Sequence, residues 1–143
     1  MAHSIVQRNI DSDAASVAVQ AAVRAARGKG VCINVAVADR SGVLCAFLRM
    51  ADAPLHSIDI AIDKAYTAAS FGLPTSRWTE ALAAHSPAVR QGLVLRPRFV
   101  AFGGGLPIVE DGQLIGAIGV SGGSEHQDEE FAQAGLEAIG LAP

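Results

Sequence analysis

The stretch Phe102-Gly-Gly-Gly-Leu-Pro-Ile-Val-Glu-Asp-Gly-Gln-Leu-Ile-Gly-Ala-Ile-Gly-Val-Ser-Gly-Gly-Ser-Glu-His-Gln-Asp128 holds eight of the chain's fifteen glycines. Two clusters, Gly103-Gly104-Gly105 and Gly122-Gly123, bracket two short apolar runs joined by Asp111-Gly112. That dipeptide favours a two-residue type I′ hairpin, because both central residues need positive φ. The run therefore reads as strand, glycine-rich turn, strand, hairpin, strand, with strands near 98–102, 106–110 and 114–120. Glycine clusters mark either difficult turns or places where another group comes close to the backbone. Gly103-Gly104-Gly105 is followed by a proline and a strand, so it lacks the helix dipole that a phosphate loop needs. A tight turn and a bare floor for a planar ligand or a neighbouring subunit both remain open.

Outward from this meander, the N-terminal part predicts a helix capped by Asp11 or Ser12, with Ala14, Ala18, Ala21, Ala22 and Ala25 at helical spacing, and stopped by Gly28-Lys-Gly30. Arg24 and Arg27 suit its C-terminal end. Residues 31–38 switch to period two, with Val31, Ile33, Val35 and Val37 on one face and Cys32, Asn34, Ala36 and Ala38 on the other. Asp39 to Gly42 closes a hairpin onto a strand from Val43 to Met50. A helix capped at Asp52 or Ala53, with Pro54 in its first turn, is expected to run to about Ser70. Further helices are expected from Thr75 or Ser76 and after Pro87, and a last one over Gln127 to Ile139. The order α-β-β-α-α-β-β-β-α has no even strand-helix alternation, so it implies a mixed α/β (α+β) single domain over 1–143 with one five-stranded antiparallel sheet flanked by helices.

The composition narrows the partners. With 11 basic and 14 acidic residues the net charge is −3, and no basic run is present, so nucleic acid is not an expected partner. No apolar run approaches the ~18 residues of a membrane span, and Met1 to Asn9 reads as no export signal; a cytoplasmic protein is expected. Cys32 and Cys45 are then expected to be free thiols in the core.

Lys64 is the most informative charged residue. His56, Ile60 and Lys64 are spaced by four along one helix side, continued by Thr67 and Phe71, beside the small face Ala61, Ala65, Ala68 and Ala69. A lysine so placed either snorkels to solvent or enters a recess, where it can hold a carboxylate. His56 is the best placed of the four histidines, near Arg49 and Asp52; His126 lies between Glu125 and Asp128. Met50 and Tyr66 are haem ligands only in the sense that their chemistry permits it. No metal-ligand quartet or catalytic triad stands out by spacing, so the metal ligands remain unknown.

Four stretches, taken together and in order, carry a family resemblance: Val35-Ala-Val-Ala-Asp39 with Gly42; Arg49-Met-Ala-Asp-Ala53; Ala61-Ile-Asp-Lys-Ala-Tyr-Thr-Ala68 with Phe71; and Gly103-Gly-Gly-Leu-Pro-Ile108 with Gly116-Ala-Ile-Gly-Val-Ser-Gly-Gly123 and Gln127-Asp128. The chain resembles the GlcG/HbpS-like family, the haem-binding or haem-degrading domain that also forms the C-terminal part of PduO-type corrinoid adenosyltransferases. The resemblance implies a profilin-like fold, assembly into dimers or larger rings, and a groove in which some members bind haem or a corrinoid. Other members accompany catabolic enzymes. It assigns no iron ligand to a residue of this chain.

Two functions follow as expectations. The first is a small homo-oligomeric binding protein for haem or a related tetrapyrrole, with a groove between the glycine-rich strands and the Lys64 helix lined by Arg49, His56, Lys64, Thr67, Gly103, Gly104 and Gly105. The second is an enzyme without cofactor, an isomerase, tautomerase or lyase, acting on a small carboxylated catabolite. There Lys64 or Arg49 would hold the carboxylate, and His56, Asp52, Glu125 or Asp128 would move a proton.

Overall fold

The structure, a computed structural model, describes residues 1–141. Its elements are α1 (Ser12–Gly28), β1 (Asn34–Asp39), β2 (Leu44–Arg49), α2 (His56–Phe71), a 3-10 turn (Thr75–Arg77), α3 (Trp78–Ala83), α4 (Pro87–Leu93), β3 (Gly105–Glu110), β4 (Gln113–Ser121) and α5 (Glu125–Ala138). The strands form a four-stranded sheet in the order β2-β1-β4-β3, every neighbouring pair antiparallel. Helices cover both faces of this mixed α/β fold.

The period-two reading of β1 explains the layers. Ile33, Val35 and Val37 join Ile118, Val120, Leu106 and Ile108 in the main core, under Ala15, Ala18, Val19 and Ala22 of α1 and Phe131, Ala132 and Leu136 of α5. The opposite side of the sheet is built of small residues. Ala36 and Ala38 of β1 pack with Ala65 of α2, and Ala117 of β4 with Ala68 and Ala69. Small residues on both partners let α2 lie close to the strands.

At the hairpin, Asp111 has φ 51° and Gly112 φ 76°, the two positive values that a type I′ turn requires. The expected fifth strand at 98–102 does not form. Arg98 takes φ 68°, Phe99 N–H donates to the Arg96 carbonyl, and Val100 N–H donates to Thr67 Oγ1 at 3.1 Å. Backbone groups that a strand would give to a neighbour are thus tied to a turn and to α2, and β3 becomes a sheet edge. The start of α2 also shifts. Asp52 sits at φ 71°, not the extended conformation of a helix N-cap, and Pro54 precedes the helix, which begins at His56. Conversely, α5 starts earlier than expected, at Glu125, because Ser124 and Gln127 form a reciprocal capping box.

The cysteines are free, but not in the core: Cys32 is half-buried and Cys45 exposed. β1 pairs Val37 with Ala46 and Ala38 with Leu44, which leaves Cys45 as the extra residue of a bulge in β2, its thiol donating to the Val37 carbonyl at 3.3 Å. No helix among the described residues is long and apolar enough to cross a membrane.

Candidate functional site

Gly105 and Gly119 are direct partners across β3 and β4. A Cβ on Gly119 would lie 2.2 Å from the Ala61 carbonyl oxygen and 2.5 Å from Ala65 N; one on Gly105 would lie 2.6 Å from the Lys64 carbonyl oxygen. The glycine-rich strands are therefore bare because the backbone of α2 rests on them. With α2 seated so low, Lys64 cannot reach solvent from mid-helix. It is 1% exposed, and its Nζ donates to the Val120 carbonyl at 2.8 Å and to Asp128 Oδ2 at 3.0 Å.

Asp128, in the first turn of α5, is 3% exposed and accepts Gly123 N–H on Oδ1 at 2.8 Å. The Phe102 ring closes over the pair, its centroid 5.0 Å from the Lys64 ammonium. Burial pushes the Lys64 ammonium to a lower pKa than usual, opposed by the attraction of Asp128 and Glu125. Burial likewise raises the Asp128 carboxyl, opposed by Lys64 and by the N–H groups of Gly123 and Gly122. The pair ties α2, β4, α5 and the second glycine cluster together.

Of the residues expected in the groove, the structure brings Lys64, Gly103 and Gly104 together, and it adds two of the proton-transfer candidates, Asp128 and Glu125, the latter accepting Gly103 N–H at 3.3 Å. The space above Gly104 and Gly105 is not open. A Cβ on Gly104 would meet the Val120 oxygen at 2.5 Å and Lys64 Nζ at 2.6 Å, and one on Gly105 the Thr75 methyl at 2.8 Å. Thr67 is a structural anchor, its hydroxyl donating to the Arg98 carbonyl at 2.9 Å. His56 is exposed at the start of α2, eight residues and so ~12 Å along the axis from Lys64. Asp52 is exposed in the turn after β2. The remaining histidines, His3, His85 and His126, are exposed too, and no three His, Cys, Asp or Glu side chains gather as metal ligands among the described residues.

Arg49 belongs elsewhere. It lines a pocket of 590 Å³ between α1 and the end of β2, with Gln20, Val23, Arg24, Arg27, Leu48, Met50 and Ala51. Its Nη2 donates to the Ala53 carbonyl at 2.9 Å, and the register sets its side chain on the opposite face of the sheet from Leu48. Met50 is likewise fixed, its sulfur accepting Ile33 N–H at 3.3 Å. The sequence reading took Arg24 and Arg27 only as suiting the end of α1 and did not foresee that they line a pocket. Their three-residue spacing was a visible signal, but the facing strand end was not.

A family model described as "haem degrading protein HbpS-like" matches residues 10–137. The chain belongs to the HbpS-like family. It is 38% identical over 120 residues to a 15.0 kDa protein from the dhaT-dhaS intergenic region of Citrobacter freundii, covering 81% of this chain and 84% of that one. Among solved structures, Klebsiella pneumoniae ORFY superposes with a TM-score of 0.89 at 35% identity, over 97% of this chain and 96% of that one. A PduOC:heme complex superposes with a TM-score of 0.84 at 33% identity, over 93% and 96%.

Proposed function

We propose that this HbpS-like chain is a small homo-oligomeric binding protein for haem or a related tetrapyrrole, built on a profilin-like fold. The observation that carries the reading is the likeness to PduOC, solved with heme, which spans nearly the whole chain at 33% identity. The local chemistry fits such a ligand. A tetrapyrrole offers a flat apolar ring and carboxylates at one edge, and the α1–β2 pocket offers apolar Val23, Leu48 and Met50 beside arginines in 590 Å³. That volume falls within the roughly 300–1,000 Å³ of small-molecule sites. When bound, haem would supply iron chemistry; the chain's own part is to hold the ring and its carboxylates.

Oligomerisation is supported by the segment from α4 to Phe102. α4 buries none of its residues, and Val89, Val94, Leu95 and Phe102 are exposed. The enzyme reading has less behind it, because the ammonium of Lys64 is already engaged by Asp128 and Val120 and the acid-base candidates His56 and Asp52 lie away from it.

Titrating the purified chain with hemin tests the proposal. A saturable Soret shift at micromolar protein, reaching about one hemin per chain or per pair of chains, is the expected result. A spectrum that is the sum of free hemin and protein at every ratio overturns it.

A further inference from the structure

The chain is acidic overall, yet two arginines of α1 with no carboxylate partner stand at the α1–β2 pocket. Arg24 and Arg27 stand three apart on α1 and so share one face, and Arg49 lines the pocket from the end of β2 with its side chain on the opposite face of the sheet from Leu48. None of the three forms an ion pair with a carboxylate among the described residues; the paired cations are Arg8, Lys29, Lys64, Arg77 and Arg98. Like charges at this spacing repel each other, and the pocket contains no acidic side chain to offset them. The dipole of α1 accounts for a basic residue in its last turn, which is Arg27. It does not account for Arg24, which precedes that last turn, while Arg49 is engaged by the Ala53 carbonyl.

The other wall is apolar: Val23 is in the main core, Met50 packs against it, and Leu48 is 36% exposed. An arginine's planar fork matches a carboxylate with two parallel hydrogen bonds. A ligand for this pocket therefore has an apolar body and at least two carboxylates at one edge. It lies on the α1 side of the sheet.

We infer that the α1–β2 pocket is the ligand site, with Arg24 and Arg27 holding the propionate edge of the tetrapyrrole and Val23, Leu48 and Met50 supporting its ring. The inference rests on the tetrapyrrole reading and adds the place and the recognising residues. Arg24 and Arg27 are exposed on a helix face, so their replacement leaves the core intact.

The test uses three probes: hemin, metal-free protoporphyrin IX and its dimethyl ester, which lacks the carboxylate charges. Affinities are read by Soret absorbance for hemin and by fluorescence for the two porphyrins. The R24Q/R27Q variant is compared with the parent chain, with circular dichroism as the check on folding. Protoporphyrin IX is expected to bind at least tenfold more weakly to the double variant, which loses charge-assisted hydrogen bonds. The dimethyl ester is expected to bind both alike. Unchanged affinity of the double variant for protoporphyrin IX and hemin overturns this site while leaving the haem reading in place. Failure of the parent chain to bind any of the three removes the haem reading and the site with it.

Discussion

Lys64 and Asp128 show what a buried ion pair costs and what it fixes. Removing two charges from water is unfavourable, and their attraction repays that only with good geometry and partners for the remaining donors and acceptors. Here the Val120 carbonyl, Gly123 N–H and the Phe102 ring supply those partners. Asp128→Ala is therefore expected to cost about 3–5 kcal/mol, because it strands an ammonium in the interior. The double variant Lys64→Met with Asp128→Asn removes both charges, keeps an acceptor for Gly123, and should cost less than the single one in urea unfolding. A double variant as unstable as Asp128→Ala would mean that the pair is net stabilising. The pH dependence follows from the directions of the two shifts. Lys64 titrates lower when folded, so from that lowered value up to its ordinary one the unfolded chain binds more protons and stability rises with pH. Asp128 titrates higher when folded, so from the ordinary carboxylate range up to its raised value the folded chain binds more protons and stability falls as pH rises. Subtracting the double variant's unfolding curve from the parent's should show both slopes, the first in alkali and the second in acid; a flat difference would refute the assignment.

At the scale of elements, the contact of α2 with the sheet depends on two glycines. Gly119→Ala places a methyl 2.2 Å from the Ala61 carbonyl oxygen, a backbone atom that cannot rotate away. Overpacking of this kind costs about 3 kcal/mol, and α2 must lift off β4 to relieve it. Gly28→Ala at the end of α1 is the contrast, since nothing lies within 4 Å of its added Cβ; it should be neutral or stabilise by up to about 1 kcal/mol. Equal melting temperatures for the two variants would contradict this account of the glycines. The comparison also separates what the sequence could reveal from what it could not. The Asp111-Gly112 hairpin, the two faces of β1 and the alanine face of α2 were legible, because each is a local pattern with one geometric reading. The strand at 98–102 was misread because its apolar look carries no sign of Thr67, thirty-three residues before Val100, which takes its backbone N–H. Lys64 was recognised as unusual, but its partner was not, since sixty-four residues separate it from Asp128. The glycine clusters were read as difficult turns or as places where another group comes close to the backbone, and at Gly105 and Gly119 that group is the backbone of α2.

For the whole molecule, the least stable part of the isolated chain on physical grounds is the segment from α4 to Phe102. A helix of seven residues is far below the roughly 12–15 that make an isolated helix even marginal in water, so it needs packing from outside itself. Within the chain α4 gets little, as it buries no residue, and Leu95 just beyond it is 81% exposed. Nearby, Phe71 packs edge-on against Trp78 and Phe99 yet remains 49% exposed. A second copy of the chain laid on this surface would bury the apolar groups and order the segment, which is how the proposed homo-oligomer would be held. Because the α1–β2 pocket is lined by other elements, association and ligand binding should be separable. Sedimentation velocity of the parent chain is expected to show a dimer or a larger closed assembly. Leu95→Asp combined with Val94→Asp should shift it toward monomer, through the cost of burying a charge at an apolar contact, while circular dichroism of the core elements is retained. A parent chain that sediments as a monomer at micromolar concentration would remove the oligomer, and a double variant that assembles as well as the parent would move the interface to another face.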